Sequence, residues 1–306
     1  MSMKSRKNLT TLFFGHTKFF SDFRLDTHNG ELISSGAGAD GDMQRRDYKI
    51  YTKIAELGKP PSKILHLGGG AFVCPDYFAA TYPECRVRVV EADDVIIDVI
   101  QKNRHGFRTN MEVIRSFARD DINHWRRKQF FDLVFIDITM GNMYWPDDAR
   151  GSVLFPGMLS AQELSTYTKE SFRKITMMLR ADGHLVINHI GSITGKGAWL
   201  WQSSAAILRK HFAFVRVFPQ HPEDAKRVQN IVVVAGGKDS VLRTRRSVSR
   251  AIENSRLEDT QKKNLTDAYV SHWYRAPRNI KKCLQDADIA SMRWRITPYQ
   301  PKTDRV

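Results

Sequence analysis

The amino-acid sequence predicts a doubly wound α/β, Rossmann-like domain with a seven-stranded, mostly parallel sheet and a late antiparallel strand. A small β-hairpin precedes it and a basic, helix-compatible extension follows. Three observations predict this. Short apolar runs alternate with helix-length amphipathic segments through residues 58–237, as expected of strands covered by helices on both faces. The first run, Ile64 to Leu67, breaks at Gly68-Gly69-Gly70, and the next ends in an acid, Glu91, about 20 residues further on, the spacing of nucleoside-binding sheets. From Lys238 onward the alternation gives way to basic sequence. The expected division is therefore 1–57, 58–237 and 238–306.

Taken in order, Phe19 to Ser35 places Asn29-Gly30 between two strand-like runs, a type I′ hairpin signal. Ser35 to Asp42 is glycine-rich and reads as loop. Tyr48, Ile50, Tyr51, Ile54 and Leu57 then recur at helical spacing from Arg45 to the Gly58–Pro61 break. Beyond the glycines, Pro75 suits the first turn of a helix through Tyr82, because its φ is already helical and its missing N–H would be unpaired there. Arg86 to Val90 is a second strand and Val95 to Arg104 a helix with one apolar face. Met111 to Arg115 is a third strand, Asp120 to Lys128 a short helix, and Phe131 to Ile138 a central fourth strand bearing Asp137 near its end.

Thr139 to Pro156 reads as a loop crossing the carboxyl edge of the sheet, where function concentrates. Ser160 to Leu179 is expected to be one long helix, opened by the Ser160–Glu163 capping-box pattern. A fifth strand begins at His184, a helix spans Ala198 to His211, and Val215 to Phe218 and Ile231 to Ala235 complete the sheet.

The chain has 306 residues and a formal charge of +15, which favours either an anionic partner or a plain solvated basic surface. Three scattered cysteines, Cys74, Cys85 and Cys283, form no metal or disulfide pattern, and no run approaches a membrane span. Leu9 to Phe14 is too short and too polar for a signal sequence, so a cytoplasmic location is expected. In the extension, Trp273, Tyr274, Arg275, Trp294 and Arg295 interleave cations with flat rings, as single-stranded nucleic-acid sites do. The other reading is a helical appendage packed on the main domain or on a second subunit.

Gly68 to Gly70, Glu91, Ser116, Phe117 and Asp137 should all meet beyond the carboxyl ends of the strands. An acceptor-only carboxylate at Glu91 suits vicinal ribose hydroxyls. The third glycine of the dinucleotide fingerprint is replaced by Val73, beside Phe72, which favours a phosphate-free nucleoside over a pyrophosphate. His189 is a second candidate base or a structural histidine, and His66 reads as core. No histidine or carboxylate cluster has metal-ligand spacing, so no metal is required.

With these residues in view, Phe19 to Gly237 resembles the spermidine synthase-like branch of the class I S-adenosylmethionine-dependent transferases. The resemblance implies a methyltransferase-type sheet and a nucleoside-sulfonium donor, S-adenosylmethionine or its decarboxylated form. It matches Gln44 and Tyr51 to a glutamine and tyrosine beside the donor's aminopropyl or methionine end, Gly68, Gly69 and Gly70 to the glycine turn, Glu91 to the ribose-binding acid, and Asp137 to the catalytic aspartate. Tyr51 either presents its hydroxyl or ring to the sulfonium or amine, or is a core aromatic. Asp137 either acts as base or orienter of a base, or caps the crossing loop.

The departures concern the donor's aminopropyl and adenine ends as well as the acceptor. Ala71 stands where polyamine-forming members carry an acid, Ser116-Phe117 replaces a G-D pair that holds adenine, and Ile138-Thr139-Met140 lacks the second polyamine-binding acid. Asp120 is a substitute partner for the adenine amino group, or Phe117 stacks on the base. The reading is a transferase moving an aminopropyl-type or methyl group to an unidentified acceptor, with a homodimer allowed by the resemblance. The alternative is a degenerate member that binds nucleic acid or a partner through residues 238–306.

Overall fold

The computed structural model describes residues 9–15, 23–28, 31–36, 57, 59–103, 106–138, 164–255, 257–267 and 283–288. Near the amino terminus, β1 (Leu9–Gly15), β2 (Phe23–His28) and β3 (Glu31–Gly36) form an antiparallel sheet in that order. His28 pairs with Glu31, so only Asn29 and Gly30 separate β2 from β3, as the hairpin signal requires. Strand β1 was not anticipated. Its threonines interrupt a run otherwise too short to stand alone, and only pairing along β2 from Leu9–His28 to Gly15–Phe23 reveals it.

The main sheet contains β4 (Lys63–Leu67), β5 (Arg86–Glu91), β6 (Met111–Arg115), β7 (Phe131–Ile136), β8 (Leu179–Gly191), β9 (Phe214–Pro219) and β10 (Gln229–Gly236). Their spatial order is β6-β5-β4-β7-β8-β10-β9. Neighbours from β6 to β8 run parallel, and β10 runs antiparallel between β8 and β9. This is the seven-stranded, methyltransferase-type Rossmann-like arrangement. The chain order reverses direction at β4, whose two neighbours are β5 and β7, and that switch point fixes where a ligand can lie.

Helices cover both faces because the strand runs are apolar on both sides of the pleat. Ile64, Val89, Phe135 and Val234 face α1 (Val73–Thr81) and α2 (Asp94–Asn103), whereas Leu65, Val90, Val134 and Ile231 face α3 (Ala118–His124), α4 (Lys169–Met178) and α5 (Trp199–Leu208). The first face is completed by α6 (Arg245–Glu253) and α7 (Asp259–Thr266), through buried Val248, Ile252 and Leu265. Leu284 is buried on the second face, where its carbonyl accepts from Lys169 N–H and its N–H donates to Ser203 Oγ. The described parts of the basic extension therefore lie against the sheet's helical layers, whereas Trp273, Tyr274, Arg275, Trp294 and Arg295, on which both readings of the extension rest, lie outside the described residues.

Several boundaries differ from expectation: β8 opens at Leu179 and not at His184, and α5 ends at Leu208 and not at His211. The long helix expected from Ser160 begins at Lys169: Ser165–Tyr167 is a 3₁₀ turn, and Thr168 is the N-cap, its Oγ1 accepting from Ser171 N–H at 3.3 Å. The Ser160–Glu163 pattern itself lies outside the described residues. The short helix expected over Asp120 to Lys128 instead spans Ala118–His124, since Phe117 at its N-cap lets Asp120 and Asp121 serve as first-turn acids. Among the described residues, no helix is long and apolar enough to cross a membrane.

Candidate functional site

The glycine turn is shaped by contacts that a side chain would forbid. Gly68 sits at φ +90°, and a Cβ there would lie 2.3 Å from the Asp137 carbonyl oxygen. Only glycine satisfies both the left-handed backbone and this close approach of the β4 and β7 ends. A Cβ on Gly69 would meet the Phe72 ring and Val89 at 2.9 Å, so the turn is packed from beneath. Among the described residues, nothing lies within 4 Å of a Cβ placed on Gly70, at φ +48°. Phe72 adopts φ 61° at the α1 N-cap, is buried, and stacks on Phe107 with ring centroids 5.1 Å apart. Its ring thus supports the turn from the core.

Glu91 ties this turn to the neighbouring strand. Its Oε2 accepts from Gly69 N–H at 2.7 Å and Gly70 N–H at 2.9 Å, and its Oε1 accepts from Asp93 N–H at 2.7 Å. Burial pushes the Glu91 carboxyl above its ordinary value, and the three backbone donors act against that rise. An ionised carboxylate offers about four acceptor positions, so three are used and one remains. The same strand end continues into Asp93, fully buried, whose Oδ1 accepts from Val95 and Ile96 N–H and caps α2.

Ser116 and Phe117 follow β6 on the other side of Glu91. Ser116 N–H donates to the Glu91 carbonyl at 3.0 Å, and both residues are half-buried. The Phe117 carbonyl accepts from the N–H groups of Asp120 and Asp121, and its side chain is half-buried.

Asp137 completes the arc from β7. Its N–H donates to the Leu67 carbonyl, and its half-buried carboxylate accepts at Oδ1 from Asn188 Nδ2 at 3.1 Å. Asn188 Nδ2 also donates to Asn230 Oδ1 at 3.1 Å, and Asn230 Nδ2 donates to Gln220 Oε1 at 3.3 Å. This chain of amides crosses β8, β10 and the end of β9 and fixes which face of Asn188 meets Asp137. The Asn188 Oδ1 is buried without a hydrogen-bond partner. Behind Asp137, burial and then the Asp137 charge push the Cys74 thiol well above its ordinary value, so that cysteine is no nucleophile.

The predicted residues Gly68, Gly69, Gly70, Glu91, Ser116, Phe117 and Asp137 therefore converge along the carboxyl edge of four adjacent strands. Gln44 and Tyr51 lie outside the described residues. His189 is buried, has its ring 5.1 Å from that of Tyr167, and is pushed by burial down to about 3; neither ring nitrogen has a partner. Its burial against the Tyr167 ring suits the structural reading of this histidine better than that of a base. His66 is likewise core, stacked on Phe135 at 4.5 Å and lowered by burial to about 3. Sequence reasoning missed Asn188, Asn230 and Gln220. The signal for Asn188 was a polar residue interrupting the apolar run LVINHI. Among the described residues, no group of three or more His, Cys, Asp or Glu is placed to hold a metal.

In chemical terms the edge offers hydrogen-bond acceptors at Glu91, a half-buried ring at Phe117 and an oriented carboxylate at Asp137. These suit a neutral sugar, a flat base and a cationic or proton-losing group, respectively.

No protein-family model matches the sequence, and no curated protein does. Solved structures do resemble it. A probable spermidine synthase from Corynebacterium glutamicum is 17% identical over 90% of this chain and 98% of that one, with a TM-score of 0.55. A spermidine synthase in complex with the transition-state analogue AdoDATO is 12% identical over 85% of each chain, at 0.57. The spermidine synthase from Thermotoga maritima is 12% identical over 88% of this chain and 94% of that one, at 0.55. The fold is thus the one spermidine synthases have, in agreement with the resemblance read from the residues.

Proposed function

We propose that the chain is a transferase that takes a nucleoside sulfonium, S-adenosylmethionine or its decarboxylated form, as donor and passes an aminopropyl-type or methyl group to a nucleophilic acceptor. The observation that carries this reading is the Glu91 carboxylate on the Gly69 and Gly70 amides. In a phosphate-binding turn such amides face the anion. Here they are taken by an internal carboxylate, so a pyrophosphate would lose its donors and meet a like charge. A neutral ribose, whose hydroxyls donate, finds a free acceptor position on Glu91, and a sulfonium cation is favoured by the surrounding negative charge.

The remaining roles follow from position. Phe117 offers its ring to the base, and Asp137 receives the proton of an amine acceptor or orients the acceptor toward the breaking C–S bond. The donor arrives already activated, so alignment and one proton acceptor suffice. Ala71 is buried, so the turn brings no acid to an aminopropyl amine. By the family resemblance, Gln44 and Tyr51 are proposed to stand beside the donor's aminopropyl or methionine end.

Isothermal calorimetry with methylthioadenosine, S-adenosylmethionine, its decarboxylated form and ADP tests this. At least one sulfonium or thioether nucleoside should bind tenfold or more tighter than ADP. Glu91→Gln, which keeps the shape but weakens the acceptor, should lower nucleoside affinity by about 10- to 100-fold, the worth of a hydrogen bond to a charged group. Absence of all nucleoside binding, or ADP binding as tightly as the nucleosides, overturns the reading. Methylthioadenosine as product identifies transfer of the carbon chain, and S-adenosylhomocysteine identifies transfer of methyl.

A further inference from the structure

Helix α4 carries a row of cations that, among the described residues, form no ion pair. Lys169 and Arg173 are one turn apart and exposed, and Lys174 follows, half-buried, with its Nζ donating to Asn123 Oδ1 at 2.7 Å. Arg126, exposed after α3, donates to the Asn123 carbonyl at 2.7 Å and so stands beside Lys174. Lys210, exposed at the end of α5, continues the row on the other side. Among the described residues, none of these five cations has a carboxylate within ion-pair distance. The nearby acids are engaged elsewhere: Asp286 pairs with Arg119 at 2.5 Å, and Glu170 accepts from Asp286 N–H at 3.1 Å.

The cations also feel one another. Burial, then Arg119 and Arg126, lower Lys174 against a smaller opposing pull from Asp286, and burial, then Arg173, Lys210 and Lys169, lower His211. Like charges at helical spacing are mildly destabilising, so this row costs the fold something that no internal contact returns.

We infer that the outer face of α3, α4 and α5 is an electrostatic binding surface for a nucleic-acid backbone. The helix is about 15 Å long, so the charges lie along a line and do not converge on a point, which excludes a small anion as the best fit. A protein partner would call for an apolar centre, yet Met177 at 43% exposure is the one exposed large hydrophobic side chain of α4 among the described residues. A membrane surface would call for inserted apolar or aromatic residues on the same face. A line of phosphates asks for neither. Contacts of this kind position a strand without reading its sequence. The surface lies on the packed domain and not on the aromatic-rich end of the extension, and it stands independently of the donor site.

Fluorescence anisotropy of the full chain with labelled 20-nucleotide RNA, single-stranded and duplex, between 50 and 200 mM KCl, tests this. Affinity should fall log-linearly with salt, with a slope approaching about −4.5 on the duplex or about −3.5 on the single strand for five neutralised phosphates. The triple variant Lys169→Glu, Arg173→Glu, Lys174→Glu should lose 30-fold or more and flatten the slope by about 2 to 3. The exposed pair Arg126→Ala, Lys210→Ala, which touches no buried contact, should flatten it by about 1 to 2 and serves if the triple variant does not fold. Unchanged slopes in both variants place any binding elsewhere and overturn the inference. So does binding to phosphatidylserine vesicles without binding to RNA.

Discussion

Replacing Asn188 by aspartate turns the donor that faces Asp137 into an acceptor. Asn188→Asp keeps the shape of the side chain while placing a carboxylate oxygen where Nδ2 now lies, 3.1 Å from both Asp137 Oδ1 and Asn230 Oδ1. Two unit charges about 4 Å apart repel by about 4 kcal/mol at an effective dielectric constant near 20. Asp137 is half-buried, so solvent screening reduces this to roughly 2–4 kcal/mol, or about one and a half to three pK units at 1.36 kcal/mol each. The two carboxyls then share a proton and titrate as a pair well above the usual carboxylate range. Because the folded-state value is raised, the variant's stability relative to wild type is highest below the unfolded value near 4 and falls as pH climbs through the raised one. Urea denaturation at pH 5 and pH 8 reads this difference, and carboxyl-carbon NMR titration reads the pair itself. A variant equally destabilised at both pH values, with both carboxyls of the pair titrating near 4, would refute the claim that Asn188 holds Asp137.

Two further outcomes follow from the core and the turn. His66, lowered by burial to about 3 against an ordinary 6.5, contributes stability that is present above pH 6.5 and lost as pH falls toward 3. At pH 5 that loss is about 2 kcal/mol, and His66→Phe, which keeps the stack on Phe135, should shrink the difference in unfolding free energy between pH 7 and pH 5 by about that amount; an unchanged difference counts against it. Gly68→Ala should cost about 3 kcal/mol or more, since it meets both a left-handed φ and the Asp137 carbonyl, whereas Gly70→Ala should cost only about 1 kcal/mol. Chemical denaturation showing the reverse order would contradict the packing assigned to the turn.

The parallel core and its site edge were legible because their signals are local. Ile64 to Leu67 must be a buried strand, three glycines must end it, and Glu91 must lie beside them once β5 pairs with β4. What was not legible depends on contacts distant in sequence. Strand β1 exists by virtue of β2, and α4 starts at Lys169 behind its cap Thr168, whose hydroxyl also meets Asp286, 118 residues away. The amide chain from Gln220 to Asp137 joins four strands, and no periodicity within any one of them announces it. Glu91 illustrates the limit best. Its spacing foretold an acid at the strand end, but not that the acid would grip the glycine amides and so deny them to phosphate.

Crystals of the wild-type chain grown with methylthioadenosine test that grip most directly. The ribose hydroxyls should lie about 2.6–3.2 Å from Glu91 while the Gly69 and Gly70 amides keep their hold on the same carboxylate, and the base should rest against Phe117. A nucleoside bound elsewhere, or a Glu91 swung away with an anion seated on the two amides, would contradict the account.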